Sequence, residues 1–175
     1  MPKVSRLGHT GVYVHDLDKM RAFYTRVLGL TVTDEDTERG LVFFSSRPKE
    51  EHHEFVIMRG RTGPDDAQVV QQISWHVEDL DTLLEFHRVL QAEGVKVERE
   101  ITHGIAIAIY FLDPEGNTTE VFWRSHRDCW VPTGDPVDLS QLDEVILADV
   151  DRAADRSKDV PVGGVRAPAA APAGG

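Results

Sequence analysis

The chain has 175 residues, a length that is enough for one well-buried domain and too short for two ordinary ones. Its formal net charge is −11 at pH 7. The negative charge argues against a nucleic-acid partner, because phosphate backbones attract basic surfaces. No apolar run is long enough to span a bilayer and the first residues lack a signal-peptide core, so we expect a cytoplasmic protein without a membrane partner. The single cysteine, Cys129, permits no internal disulfide and fits a reducing compartment.

The first sixty residues predict a strand, a helix and then three further strands. The segment LGHTGVYV at residues 7–14 is typical of a strand, and the following helix has a cap at Asp16 and an end at Gly29. Its apolar positions recur at helical spacing and predict one buried stripe: Leu17, Met20, Phe23, Tyr24, Val27 and Leu28. The strand candidates that follow are residues 30–35, 40–46 and 53–58. The polar stretch RGRTGPDDAQ at residues 59–68 reads as a linker.

The same order recurs in the second half of the chain. A strand, a helix and three strands are predicted in turn at residues 71–78, 79–94, 95–100, 104–112 and 118–123. The pattern VxDLD also appears twice, and so does a proline followed six positions later by a glutamate, as Pro48 to Glu54 and Pro114 to Glu120. We therefore predict two βαβββ modules at about residues 5–60 and 70–125, within one domain over residues 1–130.

The pattern changes after residue 130. Residues 131–157 predict an extension with one short helix, capped by Asp138 or Ser140. Residues 158–175 are rich in proline, glycine and alanine and contain no aromatic residue, so we expect them to be disordered.

The repeat and the segment ITHGIAIAIYFLDPEGNTTEVFW, residues 101–123, together resemble the vicinal oxygen chelate superfamily. Its members include glyoxalase I, bleomycin and fosfomycin resistance proteins and type I extradiol dioxygenases. The segment resembles the extradiol signature, with His103, Tyr110, the Asp-Pro-x-Gly turn from Asp113 and the metal-binding Glu120. The segment also resembles that of one-domain enzymes of the biphenyl-2,3-diol 1,2-dioxygenase type. The resemblance implies an α+β fold whose two modules form one cupped, barrel-like mixed sheet around a divalent metal.

The resemblance also implies a set of metal ligands. His9 stands seven residues before Asp16, where the family places its first ligand. The equivalent position of the second module holds Gln72, whose amide oxygen would serve as it does in glyoxalase-type members. His76 is the alternative, but four residues along a strand is about 13 Å, too far to replace Gln72 without a change of register. Glu120 would supply the third ligand and the only charge.

Two neighbouring residues compete for a further position near the metal. The repeat favours Glu54 as a possible fourth ligand, as in glyoxalases, whereas the dioxygenase pattern favours His53 as the group that handles bound oxygen. Adjacent strand residues face opposite ways, so only one can serve, and we favour His53. Tyr110 and His103 would contact substrate. The remaining histidines are assigned to the surface or to packing: His15, His52, His87 and His126.

The resulting hypothesis is an extradiol ring-cleaving dioxygenase that acts on a substituted catechol with O2. The resemblance implies Fe(II), with Mn(II) as an alternative, and a homodimer or larger assembly. A glyoxalase-type isomerase or lyase with Ni or Zn stays open, using His9, Glu54, Gln72 and Glu120. A non-catalytic, ligand-sequestering protein of the bleomycin-resistance kind also stays open. The His103–Tyr110 signature speaks against both alternatives, and Gln72 speaks for the first.

Overall fold

The computed structural model describes residues 1–64, 67, 70–128 and 133–157. The first module contains β1 Thr10–Val14, α1 Leu17–Arg26, β2 Thr31–Asp36, β3 Leu41–Ser45 and β4 Phe55–Arg59. The second contains β5 Ile73–Val77, α2 Leu80–Ala92, β6 Val97–Thr102, β7 Ala106–Leu112 and β8 Thr118–Arg124. An extension adds β9 Asp135–Pro136 and α3 Asp143–Ser157. The predicted α+β class and the repeated βαβββ order are confirmed. Cys129 and the predicted disordered segment 158–175 lie outside the described residues.

The chain divides into two compact units that do not coincide with the modules. The first unit comprises Met1–Ile73, Val89–Lys96 and Leu112–Thr119. The second comprises Ser74–Arg88, Val97–Phe111 and the described part of Glu120–Gly175. None of the helices within residues 1–64, 67, 70–128 and 133–157 combines the length and the apolar character that crossing a bilayer requires.

Each module contributes one sheet, so the described residues form a four-stranded and a five-stranded sheet in place of the single cupped sheet that the resemblance implied. The first has the order β1-β4-β3-β2, with β1 parallel to β4 and the other neighbours antiparallel. The second has the order β5-β8-β7-β6-β9, in which β6 is antiparallel to both β7 and β9. The extension therefore adds a fifth strand to the edge of the second sheet, beyond what the repeat predicts.

The core of the first unit forms between α1 and its sheet. Tyr24 of α1 is fully buried, and its ring centroid lies 4.6 Å from that of Phe55 and 5.9 Å from that of Phe44. Burying one such side chain stabilises a fold by about 1.5–3 kcal/mol. The Tyr24 hydroxyl donates to the Asp113 carboxylate at 2.9 Å, so the polar end of this core ring is also satisfied.

The predicted limits of α1 follow from local chemistry. Asp16 is the N-cap, and its side chain accepts the backbone N–H of Lys19 at 2.9 Å. Such a cap contributes about 1 kcal/mol. The helix ends at Arg26, and Gly29 then adopts a positive φ of 68°, which lets the chain turn into β2 without a Cβ clash.

The predicted start of the C-terminal helix was wrong. The helix α3 begins at Asp143 and is 15 residues long, so neither Asp138 nor Ser140 is its cap. The Asp138 carboxylate instead accepts the Ser140 backbone N–H at 2.9 Å and the Gln141 side-chain amide at 2.8 Å. These side-chain bonds stabilise a turn ahead of the helix, because aspartate competes with helical backbone bonding.

The connection between β4 and β5 is anchored by Arg61, which lies in the predicted linker. The Arg61 guanidinium donates to the Glu115 backbone carbonyl at 2.8 Å and lies 3.3 Å from the Glu115 carboxylate. Its side chain is 2% exposed and that of Glu115 is 7% exposed. Another Glu115 oxygen accepts the backbone N–H groups of His15 and Asp16 at 2.8 Å each. One buried ion pair thus joins this connection, the β7–β8 turn and the β1–α1 loop.

Candidate functional site

Glu120 of β8 is the centre of a hydrogen-bonded group in the second unit. It is buried, at 7% exposure, and its carboxylate accepts a hydrogen bond from the Ser74 hydroxyl of the neighbouring strand β5. The Tyr110 hydroxyl of β7 lies close enough to the same carboxylate for Glu120 to add to the effect of burial, which raises the pKa of the tyrosine. A carboxylate oxygen accepts hydrogen bonds, so the Ser74 hydroxyl is the donor in its pair with Glu120. This bond compensates part of the cost of burying the polar group.

His103, in the turn between β6 and β7, extends this group. Its Nε2 lies 3.1 Å from the Tyr110 hydroxyl, and its Nδ1 lies 2.5 Å from the backbone carbonyl oxygen of Thr133. A carbonyl only accepts, so Nδ1 carries the hydrogen and the ring orientation is set. With the hydrogen on Nδ1, Nε2 accepts the hydrogen of the Tyr110 hydroxyl. The geometry therefore joins His103 and Tyr110 through one hydrogen bond, beside the Glu120 carboxylate.

The surroundings of Tyr110 keep its hydroxyl protonated. Burial, followed by the hydrogen bond and the charge of Glu120, raises the pKa of Tyr110 above its ordinary value. The Arg99 guanidinium carbon lies 4.2 Å from the ring centroid, a cation–π contact, and opposes this shift of the pKa. Tyr110 is therefore a hydrogen-bond donor at neutral pH.

A second cluster of predicted residues lies in the first unit. The rings of His9, directly before β1, and His53, before β4, have centroids 4.5 Å apart. The His53 ring also lies edge-on to Phe43 at 5.2 Å, and its Nδ1 is 2.9 Å from Nδ1 of His52. Burial, and then the charges of His9 and His52, lower the pKa of His53, which favours its neutral imidazole.

Glu54 faces other partners. Its carboxylate accepts the Ser46 backbone N–H at 2.9 Å, the Ser46 hydroxyl at 2.6 Å and the Arg47 guanidinium at 2.8 Å. Burial alone would raise the pKa of Glu54, but these bonds outweigh it and lower the pKa to about 2. Of the two residues that the sequence left in competition, His53 therefore lies against His9 and Glu54 against Arg47.

Glu54→Gln is expected to destabilise the protein in a pH-dependent way. The depressed pKa means that the ionised carboxylate stabilises the fold fully above its unfolded pKa of about 4.5, and that this contribution is lost as the pH falls towards about 2. Urea midpoints of the wild type and the variant should differ at pH 7 and converge below pH 4. Glu85→Gln, on the exposed side of α2, is the matched control. A difference that stays constant with pH would contradict this assignment.

The remaining predicted residues are at the start of the second module. Gln72 is half-buried just before β5, and its amide oxygen lies 3.1 Å from the Gln71 side-chain nitrogen. His76 is exposed in β5, with its ring 5.2 Å from that of Phe122. Three of the histidines assigned to surface or packing roles are exposed, and the fourth is buried against Glu100: His15, His52, His126 and His87.

The predicted metal ligands are one histidine, one glutamine and one glutamate: His9, Gln72 and Glu120. Across residues 1–64, 67, 70–128 and 133–157, no three His, Cys, Asp or Glu side chains gather as a metal-binding group. The predicted set replaces one histidine by Gln72. An imidazole nitrogen, an amide oxygen and a carboxylate still suit a divalent cation of hard or borderline character. The chemistry of the set fits a metal on condition that Gln72 is a ligand.

The sequence comparison identifies the family. The profile of the Glyoxalase/Bleomycin resistance protein/Dioxygenase superfamily matches residues 6–121. The chain belongs to this superfamily. Biphenyl-2,3-diol 1,2-dioxygenase 2 of Rhodococcus globerulus is 26% identical over 125 residues, which cover 69% of this chain and 64% of that protein. The 1,2-dihydroxynaphthalene dioxygenase of Sphingobium xenophagum is 30% identical over 137 residues, which cover 75% and 43%. The chain thus spans less than two thirds of either relative.

Solved structures of the superfamily share the fold. The lactoylglutathione lyase of Agrobacterium tumefaciens superposes with a TM-score of 0.56 and 23% identity, covering 69% of this chain and 95% of that one. The predicted vicinal oxygen chelate fold is therefore confirmed. At this identity the likeness concerns the fold alone.

Two polar partners in the site escaped sequence reasoning. Ser74 lies two residues after Gln72 and two before His76. Alternate residues of a strand share one face, so the sequence pattern of β5 could have placed Ser74 beside these two residues. Thr133 belongs to the extension, and no local pattern relates it to His103, 30 positions earlier.

Proposed function

We propose that this protein is a metal-dependent extradiol dioxygenase that cleaves the ring of a substituted catechol with O2. The observation that carries the proposal is the grouping of the three residues of the dioxygenase signature. The Tyr110 hydroxyl is hydrogen-bonded to His103, and burial and the Glu120 carboxylate raise its pKa. The similarity to biphenyl-2,3-diol and 1,2-dihydroxynaphthalene dioxygenases supports the same reaction class.

His9, Gln72 and Glu120 would hold the metal, with Fe(II) as the preferred ion and Mn(II) as the alternative. When bound, such an ion supplies open coordination positions for substrate and O2 and the redox chemistry that ring cleavage needs.

The side chains around it bind and move protons. The protonated Tyr110 hydroxyl donates a hydrogen bond to a substrate oxygen and fixes the ring for reaction. His103 exchanges a proton with Tyr110 through Nε2 while the Thr133 carbonyl holds Nδ1–H. His53 supplies a neutral imidazole beside His9 that accepts a proton during the reaction.

Tyr110→Phe is expected to retain the metal and lower kcat by about 10- to 100-fold. The ring still packs under Arg99, while one hydrogen bond to the reacting substrate is lost, and a tenfold change in rate corresponds to about 1.4 kcal/mol. The measurement is oxygen uptake and the yellow ring-cleavage product after anaerobic loading with ferrous iron. Tyr13→Phe, at a tyrosine that is 56% exposed on β1, is the control. An unchanged kcat in Tyr110→Phe would remove the residue from the catalytic group.

Gln72 favours a second candidate, a glyoxalase-type isomerase or lyase with Ni or Zn. Glu54 would then be the fourth ligand and would have to leave Arg47 and Ser46. The discriminating experiment loads the protein with each metal in turn and assays oxygen uptake with a catechol panel and isomerisation of a hemithioacetal. Oxygen uptake with iron supports the dioxygenase, isomerisation with Ni or Zn supports the second candidate, and neither activity points to a ligand-sequestering protein.

A further inference from the structure

The second unit contains a cavity of about 500 Å³ that is largely open to solvent and is lined by His76, Ile105, Ala106, Phe122 and Arg124. This volume is typical of pockets that bind small molecules, which occupy about 300–1,000 Å³. Its lining combines apolar walls with a cation and an imidazole. Neither the signature residues nor their roles account for it.

Strand alternation relates the cavity to the candidate site. Glu120, Phe122 and Arg124 are alternate residues of β8, so their side chains leave the same face of the sheet. Tyr110 and Ala106 share one face of β7 for the same reason. β7 and β8 are neighbours in the sheet, and the Glu120 carboxylate acts on the Tyr110 hydroxyl, so these are the same face. The cavity lies along this face beyond Glu120.

The middle of the cavity suits an aromatic ring. The ring centroids of Phe122 and His76 are 5.2 Å apart, and the ring planes make an angle of 59°. Ile105 and Ala106 add apolar side chains to the lining. Aromatic side chains in such tilted pairs offer both faces and edges to a further ring at van der Waals distance.

Arg124 is the charged end of this lining. It is exposed, and across the described ranges its guanidinium has no carboxylate partner. The described residues that line the cavity include no carboxylate, so the Arg124 guanidinium is available for an external anion. The planar guanidinium matches a carboxylate through two parallel hydrogen bonds.

We propose that this cavity binds an aromatic carboxylate and that Arg124 receives its carboxylate group. Combined with the proposed function, on which this step rests, the substrate class is a catechol that carries a carboxylate on a short spacer. The geometry of β8 sets the length of this substrate. Glu120 and Arg124 are four residues apart along the strand, so their Cα atoms are separated by about 13 Å. That distance accommodates one ring and a spacer of a few atoms.

Binding to the full-length protein as purified tests the site independently of catalysis. The probes are 3-phenylpropanoate and its uncharged amide, measured by titration calorimetry. The wild type should bind the acid at least tenfold more tightly than the amide, and Arg124→Gln should abolish this preference. Arg88→Gln, at an exposed arginine of α2, makes the same charge change and should keep the preference. Loss of preference in both variants, or in neither, overturns the inference.

Turnover separates this inference from the proposed function. With iron-loaded protein, 3-(2,3-dihydroxyphenyl)propanoate should show a kcat/KM at least tenfold above that of its amide, and Arg124→Gln should remove the difference. Equal kcat/KM for acid and amide overturns the Arg124 assignment and leaves the dioxygenase intact. Selective binding of 3-phenylpropanoate without oxygen uptake for any catechol supports the carboxylate site and contradicts the dioxygenase. Circular dichroism and the melting temperature verify that the variants are folded.

Discussion

Replacing Glu120 by glutamine is expected to remove both the bound metal and the ring-cleavage activity. Glu120 is the only charged member of the proposed ligand set, and its carboxylate balances part of the charge of a divalent ion. Loss of outer partners alone lowers metal affinity by about 10- to 100-fold, so loss of a charged ligand should exceed about 100-fold. The measurement is metal content by mass spectrometry after anaerobic ferrous loading, together with oxygen uptake.

The glutamine variant separates ligation from folding. The amide oxygen of glutamine still accepts the hydrogen bond from the Ser74 hydroxyl, so the melting temperature should change little while the metal is lost. Glu54→Gln is the informative comparison. If Glu54→Gln loses metal and Glu120→Gln retains it, the proposed ligand set is wrong. If both lose metal, the four-ligand arrangement of the second candidate is favoured.

Arg61→Ala is expected to destabilise the protein by about 3–5 kcal/mol. The substitution leaves the Glu115 carboxylate buried at 7% exposure without its cationic partner, and breaking one side of a buried ion pair typically costs this much. For a chain of this size the melting temperature should fall by roughly 10 °C, at about 2–4 °C per kcal/mol. Thermal and urea unfolding, followed by circular dichroism, measure the change.

An exposed arginine and a double variant complete this test. Arg47→Ala removes an ion pair whose arginine side chain is 51% exposed and should have a much smaller effect, because solvent screens such pairs. Arg61→Met combined with Glu115→Gln should recover part of the loss, since no charge is then left buried. An Arg61→Ala variant as stable as the wild type would show that the β4–β5 connection is a passive linker.

Local sequence patterns determined the modules, the helix cap and the signature residues. Apolar residues alternate along the strands and recur at helical spacing in α1 and α2. These patterns extend over a dozen residues or fewer, so they can be identified from the sequence alone. The Asp16 cap is of the same kind, because its side chain bonds the backbone only three positions ahead. Repetition of these patterns predicted two βαβββ units before any contact was known.

The tertiary structure decided the partners of those residues. The Ser74–Glu120 bond spans 46 positions, the bond from His103 to Thr133 spans 30, and the Arg61–Glu115 contact spans 54. Strand order and register bring such pairs together, and neither is encoded in a short segment. The different surroundings of His53 and Glu54 have the same origin. Glu54 bonds to Arg47 and Ser46, whereas the His53 ring lies against that of His9. The periodicity of a sequence specifies on which face of a strand or helix a side chain lies. Long-range packing specifies which residues that face contacts.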